Sequence, residues 1–296
     1  MEEIVLEKRF GDIQGEHASF KKAKACIIQA PYAETLTYIK GADKAPKAII
    51  DASMNMELFD DELNVETYKI GIFTSPAIEF KEKETPENAI EIIYKSVKEV
   101  LEAGKVPVVL GGEHTVTIGA VKALKEKNEN LSVLHLDAHY DLKDEYNGSK
   151  YNHACIARRL QEICPVIEVG VRSLSKEEKE FLGTSPKNVS VMSVYDILEI
   201  PDWKKKVSDL LSDDVYITID MDVFDPSLVP SVGTPEPGGI GWYEIIDLLK
   251  LVAKDKKIVG FDVVELSPKE GNIAPDFLAA KLIYRLLGYA FIIGKK

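Results

Sequence analysis

Acidic and histidine side chains alternate at the end of an apolar run, in the segment LHLDAHYDLKDE at residues 134–145. Asp137, His139 and Asp141 occupy every second position, and alternate side chains of an extended strand project to the same face. The three groups therefore converge at the strand end, where their burial would be costly unless a cation neutralised them. This spacing predicts a metal site.

Three other apolar runs end in similar groups. His114 follows the run in VPVVLGGEHT, and Glu265 ends the run in KIVGFDVVELSP. Asp220 and Asp222 repeat the two-residue spacing in VYITIDMDVFDP. Ligands of open α/β sheets bind beyond the carboxyl ends of the strands, so the four segment ends are expected to meet. The predicted metal ligands are His114, Asp137, His139, Asp141, Asp220 and Asp222.

The number and kind of these ligands predict two ions. Four carboxylates and two imidazoles exceed the needs of one tetrahedral zinc site, whereas two ions about 3.5–4 Å apart with bridging carboxylates would use them all. Oxygen-rich ligation with imidazole and without thiolate favours manganese(II), with iron, cobalt, nickel and zinc as competitors. Nearby polar groups have simpler interpretations. Asp225 is expected in a turn, Asp262 as a structural group, and His135 in the core or in support of the ligands.

The order of elements that must position these groups predicts an α/β fold. Short β-branched runs alternate with helical patterns, which indicates a mainly parallel sheet with helices on both faces. The clearest helix spans 85–104, where Thr85 is suited to cap the helix and Gly104 to end it. Further helices are predicted at 240–254 and 275–288. The predicted strands are 23–31, 106–112, 131–138, 165–172, 189–194, 214–222 and 256–266.

Composition excludes several classes of protein. The chain of 296 residues has a net charge of −12 and a pI near 5.1, which disfavours binding to nucleic acid or to anionic lipid. Cys26, Cys155 and Cys164 form no CxxC pair and are predicted to be free thiols in a reducing cytosol. No signal peptide or long apolar run is recognisable, so the sequence predicts a cytoplasmic protein without a membrane span. We expect one domain over 1–296, with roughly the first 20 residues as an arm or extension.

The motifs together resemble the ureohydrolase family of arginases and agmatinases. Those that carry the resemblance, in the family's order, are GGEHT, DAHYD, YNHA, TIDMDVFDP, GTPEPGG and ELSP. The earlier segment KGADKAPKAI is similar to the family's entry segment, so the likeness covers most of the chain from about residue 41 onward. The resemblance implies a single three-layer α/β/α domain around a mainly parallel sheet. It also implies a homo-oligomer, a trimer or a hexamer.

The resemblance also assigns roles to individual residues. His153 is the implied catalytic histidine, and Glu265 is the carboxylate that would hold a guanidinium group. We assign Asp141 both as a metal ligand and as a catalytic group. The ligands implied for one manganese are His114, Asp137, Asp141 and Asp220, and those for the other are Asp137, His139, Asp220 and Asp222.

The chemistry of such a cluster favours a cationic substrate. Two divalent ions, four aspartates, a hydroxide and Glu265 carry a net charge of about −2. A guanidinium is a poor electrophile, so its hydrolysis needs a hydroxide that metal coordination makes available near neutral pH. Glu265 is suited to grip two guanidinium N–H groups, and His153 to protonate the leaving amine. The predicted products are urea and a primary amine.

Agmatine is the predicted substrate, with putrescine, a polyamine precursor, as product. Arginases bind the α-carboxylate and α-amine of arginine through an asparagine and an aspartate, whereas Lys143 and Ser173 occupy the matching positions here. Asp144 and Glu145 beside Lys143 are expected to repel a carboxylate. The alternatives are arginase, guanidinobutyrase or formiminoglutamase activity, and a single-metal hydrolase such as the deacetylases of this general fold. Ala154, where the family usually has glycine after the histidine, instead suggests a catalytically inactive assembly subunit.

Overall fold

A parallel eight-stranded sheet forms the centre of the computed structural model, which describes residues 7–294. The strands lie in the order β4-β1-β5-β10-β9-β6-β7-β8, and each pairs with its neighbours in parallel. A short antiparallel hairpin, β2–β3, lies outside this sheet. The strands are β1 Ala25–Ala30, β2 Phe59–Asp60, β3 Val65–Glu66, β4 Ile72–Ala77, β5 Val106–Gly111, β6 Leu131–Leu136, β7 Val166–Val169, β8 Val189–Met192, β9 Asp214–Asp220 and β10 Lys257–Val264.

Helices cover both faces of the sheet. They are α1 Ala45–Ser53, α2 Pro86–Glu102, α3 Val116–Lys127, α4 Ile156–Leu160, α5 Lys176–Gly183, α6 Val194–Glu199, α7 Trp203–Leu210, α8 Trp242–Asp255 and α9 Ala274–Gly288. Consecutive strand residues enter different apolar cores: Ile27 and Val108 pack with α1, α7, α8 and α9, whereas Cys26 and Val109 pack with α2, α3 and α4. The predicted three-layer α/β/α fold is therefore confirmed.

The helix with the clearest sequence signals forms as predicted. Thr85 caps α2, because its hydroxyl accepts a hydrogen bond from the N–H of Asn88 at 3.3 Å. Ile90 and Val97 lie on its buried face, and Gly104 follows its end with a φ of +71°. The apolar face of this helix packs against β1 and β5.

The four strands that end in polar groups are neighbours in the middle of the sheet. They lie in the order β5-β10-β9-β6, and all point the same way. Other strands flank these four, and helices cover both faces of the sheet. The four strands are therefore apolar along most of their length. Their carboxyl ends meet at one edge, which we call the carboxyl edge.

The sequence prediction missed β4, α1 and the hairpin β2–β3. Pro76 lies within β4, and a proline normally argues against a strand because it cannot donate a ladder hydrogen bond. Here β4 is an edge strand, so the missing donor costs little. Each strand of the hairpin has only two residues, too few for a periodic pattern.

The described part of the N-terminal segment packs against the sheet edge. Phe10 is fully buried, and its N–H donates to the hydroxyl of Thr74 at 3.1 Å. The N–H of Gly11 donates to the hydroxyl of Ser53 at 2.8 Å. Residues 1–6 of the predicted arm lie outside the described residues. Over 7–294, none of the helices has the length and apolar character needed to cross a membrane.

Candidate metal centre and active site

The carboxyl edge brings the six predicted metal ligands together. His114 follows β5, Asp137 follows β6, and Asp220 ends β9. His139 and Asp141 continue beyond β6, and Asp222 lies in the turn after β9. Five of the six are at most 7% exposed, and His139 alone reaches the surface, with 24% of its side chain exposed.

One half of the cluster surrounds His114. Its Nδ1 atom lies 3.2 Å from Asp137 Oδ2, 3.4 Å from Asp220 Oδ2 and 3.7 Å from Asp141 Oδ2. These are the ligands implied for one of the two ions.

The other half surrounds His139. Its Nδ1 atom lies 2.9 Å from Asp222 Oδ2 and 3.5 Å from Asp137 Oδ1. Asp137 thus directs one carboxylate oxygen to each half of the cluster, Oδ2 to His114 and Oδ1 to His139. This is the position that a bridging carboxylate requires.

The donor atoms fit divalent cations. His114 Nδ1 and Asp137 Oδ2 are buried and have no hydrogen-bond partner among residues 7–294. Within the same range, the ion-pair partners found within 4.0 Å of the cluster's carboxylates are histidines, with no lysine or arginine. Burial lowers the pKa of His114, but the contact with Asp137 and the charges of Asp137, Asp141 and Asp262 together raise that pKa to about 9. The acids therefore favour a positive charge at this point. A metal ion bound by these nitrogen and oxygen atoms would supply that charge.

A hydroxyl relay sets which nitrogen of His114 carries a proton. Asp262 is fully buried, and it accepts a hydrogen bond from the hydroxyl of Thr218 at 2.6 Å. Thr218 has one proton to donate, so its oxygen accepts from His114 Nε2–H, at 2.8 Å. In the neutral ring, Nδ1 then keeps its lone pair and faces the aspartates, as a metal ligand must. Asp262, interpreted from sequence as structural, acts on the cluster through Thr218.

A second polar layer lies beneath the cluster. His135 was expected either in the core or in support of the ligands; it is fully buried, and its Nε2 lies 3.0 Å from Asp137 Oδ2. Its register partner on β7 is Glu168, which the sequence analysis did not single out. Glu168 is fully buried, and burial raises the pKa of its carboxyl well above the ordinary value.

Two predicted site residues have strained backbones. Asp141 and Glu265 have φ values of +50° and +62°, a region that residues other than glycine rarely occupy. The carboxylate of Glu265 accepts a hydrogen bond from the N–H of His114 at 2.7 Å. Burial first, and then the charge of Glu113, raises the pKa of Glu265 to about 8. A cation bound at Glu265 would favour its ionised form.

The predicted catalytic groups line one cavity of about 330 Å³. His153 lies in its wall, in a 3₁₀ turn that Asn152 caps, and Ala154 lines the wall beside it. Burial lowers the pKa of His153 to about 4, so its imidazole is neutral near pH 7. Its Nδ1 lies 3.0 Å from the hydroxyl of Thr35, a residue that the sequence analysis did not identify.

The residues that bear on substrate choice lie at the same cavity. Lys143 and Ser173 both line it, and Ser173 donates a hydrogen bond to Glu236 at 2.9 Å. Glu236, from the motif GTPEPGG, was not singled out from sequence. Of the two acids expected to repel a carboxylate, Asp144 pairs with Arg159 at 2.8 Å, which offsets part of its charge, and Glu145 is exposed.

Comparisons with known proteins agree with this geometry. The family model described as Arginase family matches residues 23–288. An N(1)-aminopropylagmatine ureohydrolase of Synechocystis sp. is 34% identical over 92% of this chain and 90% of its own length. An agmatinase of Pyrococcus horikoshii is 35% identical over 96% of this chain and 98% of its own.

Solved structures agree as well. The crystal structure of the agmatine ureohydrolase of Thermoplasma volcanium superposes with a TM-score of 0.85 at 32% identity. The superposition covers 97% of this chain and 95% of the other. Taken with the family model, which spans most of the sequence, these matches mean that the chain belongs to the arginase family.

Proposed function

We propose that this member of the arginase family hydrolyses agmatine to putrescine and urea with two manganese(II) ions per chain. The observation that carries the proposal is one cavity that joins a cation-demanding cluster of aspartates and histidines to Glu265 and His153. Ureohydrolases cleave a guanidino C–N bond, and each part of that reaction has a matching group here.

The metal ligands would divide between two ions. One ion would be held by His114, Asp137, Asp141 and Asp220, and the other by Asp137, His139, Asp220 and Asp222. When bound, the ions supply Lewis acidity and lower the pKa of a water nucleophile. Manganese is our choice because the ligands are mostly carboxylate oxygens and include no thiolate.

The chain's own residues orient the substrate and move the proton. Glu265 would receive two N–H groups of the guanidinium in a planar fork, and the N–H of His114 keeps its carboxylate oriented. His153 is neutral near pH 7, so it can take up a proton at Nε2 and deliver it to the leaving amine nitrogen. The C–N bond then breaks with the amine as a neutral leaving group.

Agmatine suits the polar groups at the cavity wall. Ser173 lines the cavity at the position where arginases carry a residue for the α-amine, and it donates a hydrogen bond to Glu236. The nearby carboxylate of Glu236 would favour a substrate ammonium group there. Lys143 lies over the ring of Tyr146, with Nζ 4.2 Å from its centroid. Arginine would therefore find neither of the arginase partners for its α-carboxylate and α-amine.

N1-aminopropylagmatine is a second candidate. A relative with 34% identity bears that substrate in its name, and this compound carries one more amine than agmatine. The carboxylates of Glu178, in the cavity wall, and of Glu236 are suited to a second cationic group.

Urea release from a panel of guanidino compounds tests the proposal. We expect kcat/KM under manganese(II) to be highest for agmatine or N1-aminopropylagmatine, and at least about 10²-fold lower for arginine and guanidinobutyrate. Asp222→Asn is the control for metal-independent urea release. A preference for arginine would contradict the substrate, and no urea from any compound would favour a non-catalytic assembly subunit.

The remaining parts of the proposal concern the setting of the protein. We propose one domain over 1–296, a homo-oligomer of three or six chains, and a place in cytoplasmic polyamine biosynthesis. Large exposed apolar side chains, including Tyr195, Leu198 and Tyr243, support an interface between copies. Light scattering coupled to size exclusion tests the oligomer, and a monomer at micromolar concentration would contradict it.

A further inference from the structure

We propose that Glu113 and Thr35 are positioning residues that hold the imidazole of His153 in one tautomer, with the proton on Nδ1. The inference rests on the proposed function, in which His153 carries a proton to the leaving amine. It adds to that function a three-residue relay, Glu113–Thr35–His153, built from segments that are far apart in the sequence.

The relay is continuous in hydrogen bonds. The carboxylate of Glu113 accepts from the N–H of Thr35 at 2.6 Å and from its hydroxyl at 2.8 Å. The hydroxyl oxygen of Thr35 lies 3.0 Å from His153 Nδ1 and accepts from the N–H of His153 at 3.2 Å. Glu113 is fully buried, and Thr35 and His153 are half-buried.

The proton count fixes the direction of each bond. A threonine hydroxyl has one proton and two lone pairs. The ionised carboxylate of Glu113 can only accept, so Thr35 gives its proton to Glu113, and one lone pair of Thr35 accepts the N–H of His153. The remaining lone pair faces Nδ1, so Nδ1 must be the donor. Neutral His153 then has its free lone pair on Nε2, the form that accepts a proton there.

The relay is anchored to the same strand end as the metal ligands. Glu113 lies directly before His114, and its N–H donates to the carbonyl of Tyr32 at 2.8 Å. Gly112 lets the two segments approach, since a Cβ there would lie 2.1 Å from the Tyr32 oxygen. Glu113 therefore sets the position of Thr35, and through it the ring of His153, relative to the cluster.

The opposing interpretation is that these bonds only hold the loop at residues 31–40 against the sheet. Both interpretations predict damage when Thr35 is removed, but only the relay predicts a change in the protonated nitrogen of His153. Thr35→Val removes the hydroxyl at nearly constant volume, and Thr35→Ser keeps it. Glu113→Gln replaces one acceptor oxygen by a donor, and Glu34→Gln, on the exposed part of the same loop, is its matched charge control.

Two measurements on the full-length chain decide between them. With two manganese ions per chain verified for each variant, we expect Thr35→Val and Glu113→Gln to lower kcat about 10-fold or more with little change in KM. Thr35→Ser and Glu34→Gln should keep kcat near that of the parent chain. The second measurement uses ¹⁵N-histidine spectra of the zinc-loaded chain, in which the His153 signals are assigned by their absence from His153→Asn. We expect Nδ1 of His153 to be protonated and Nε2 to be unprotonated. In Thr35→Val, we expect a mixture of the two tautomers.

The outcomes are distinct. Unchanged kcat in Thr35→Val, an equal loss in Thr35→Ser, or a His153 tautomer that Thr35→Val leaves unaltered would each overturn the relay. A parent chain that releases no urea would defeat the proposed function instead. The nitrogen spectra would still decide for or against the relay in that case.

Discussion

The hairpin β2–β3 and the carboxyl edge both crowd acidic side chains, but they neutralise the charge differently. At the hairpin, Arg285 of α9 lies between the acids, with Nε 3.2 Å from Asp60 Oδ2 and Nη2 3.1 Å from Asp61 Oδ1. Its Nη1 also contacts Glu62, and Lys250 lies 2.5 Å from the other oxygen of that carboxylate. At the carboxyl edge, the four aspartates face histidines.

The contrast separates a structural cluster from a functional one. Where the chain supplies its own cations, the acids are already paired, and their contribution is to stability. Where it supplies four buried carboxylates and no lysine or arginine within 4.0 Å over 7–294, a bound cation has to complete the site. Removing a cation from each cluster should therefore have different consequences.

Metal removal should have the largest effect, and it should act at the carboxyl edge alone. We expect a chelator to abolish urea release and to lower the melting temperature, because ions at 100 times their Kd stabilise the folded chain by about 2.7 kcal/mol per site. Calorimetry with and without chelator measures the shift. Asp137→Asn is the control, since its melting temperature should hardly respond to metal. Full activity and an unchanged melting temperature after verified metal loss would refute the cluster.

Arg285→Met should damage stability but not the metal site. The side chain of Arg285 is 9% exposed, and its loss would leave Asp60, with 1% of its side chain exposed, as an unpaired buried charge. We expect the free energy of unfolding to fall by about 3 kcal/mol, with two metal ions and a normal kcat retained in the folded chain. Urea denaturation and metal analysis test this.

An exposed pair provides the comparison for that variant. Lys47→Met removes one ion-pair partner of Asp51. The Lys47 side chain is 78% exposed, so the substitution should change the free energy of unfolding by at most about 0.5 kcal/mol. If Arg285→Met lost metal in proportion to stability, the two clusters would not be independent.

The six proposed metal ligands were accessible to sequence reasoning because two simple rules predicted them. A parallel sheet gathers the carboxyl ends of its strands, and this rule holds here. Strand alternation predicted the two-residue spacing, but β6 ends at Leu136 and Asp141 has a φ of +50°, so the turn beyond the strand, and not the strand itself, brings Asp137 and Asp141 together. The same rules predicted the places of His114 and Asp220. The metal identity follows from neither rule.

The supporting residues follow no local pattern. Thr35 meets His153 across 118 positions of sequence, and Thr218 meets His114 across 104. Threonine is common in loops and strands, so its type alone carries no signal, and only the folded chain reveals its partner. Glu113 had a weak signal, since it precedes His114 in GGEHT, but the direction of its side chain depends on the loop that holds Thr35.

The pH dependence of the hairpin should be the smallest effect that distinguishes the clusters. Burial alone would raise the pKa of Glu62, but hydrogen bonds, with Lys250 first, lower it from 4.5 to about 2. A carboxylate whose pKa is lower in the folded than in the unfolded chain stabilises the fold above pH 4.5, and that contribution is lost as the pH falls from 4.5 towards 2. Glu62→Gln should therefore be less stable than the parent chain at pH 6, and the difference should shrink as the pH is lowered.

Denaturation of both chains in the presence of chelator isolates this effect, because metal release then makes no contribution to the profile. Glu91→Gln, in an ion pair with Lys95 whose side chains are 58% and 70% exposed, is the matched control and should differ little from the parent chain at any pH. A stability difference for Glu62→Gln that stayed constant from pH 6 to pH 3 would mean that the Glu62 carboxylate is not held ionised by its neighbours. The hairpin would then resemble the carboxyl edge in relying on something other than the chain's own cations.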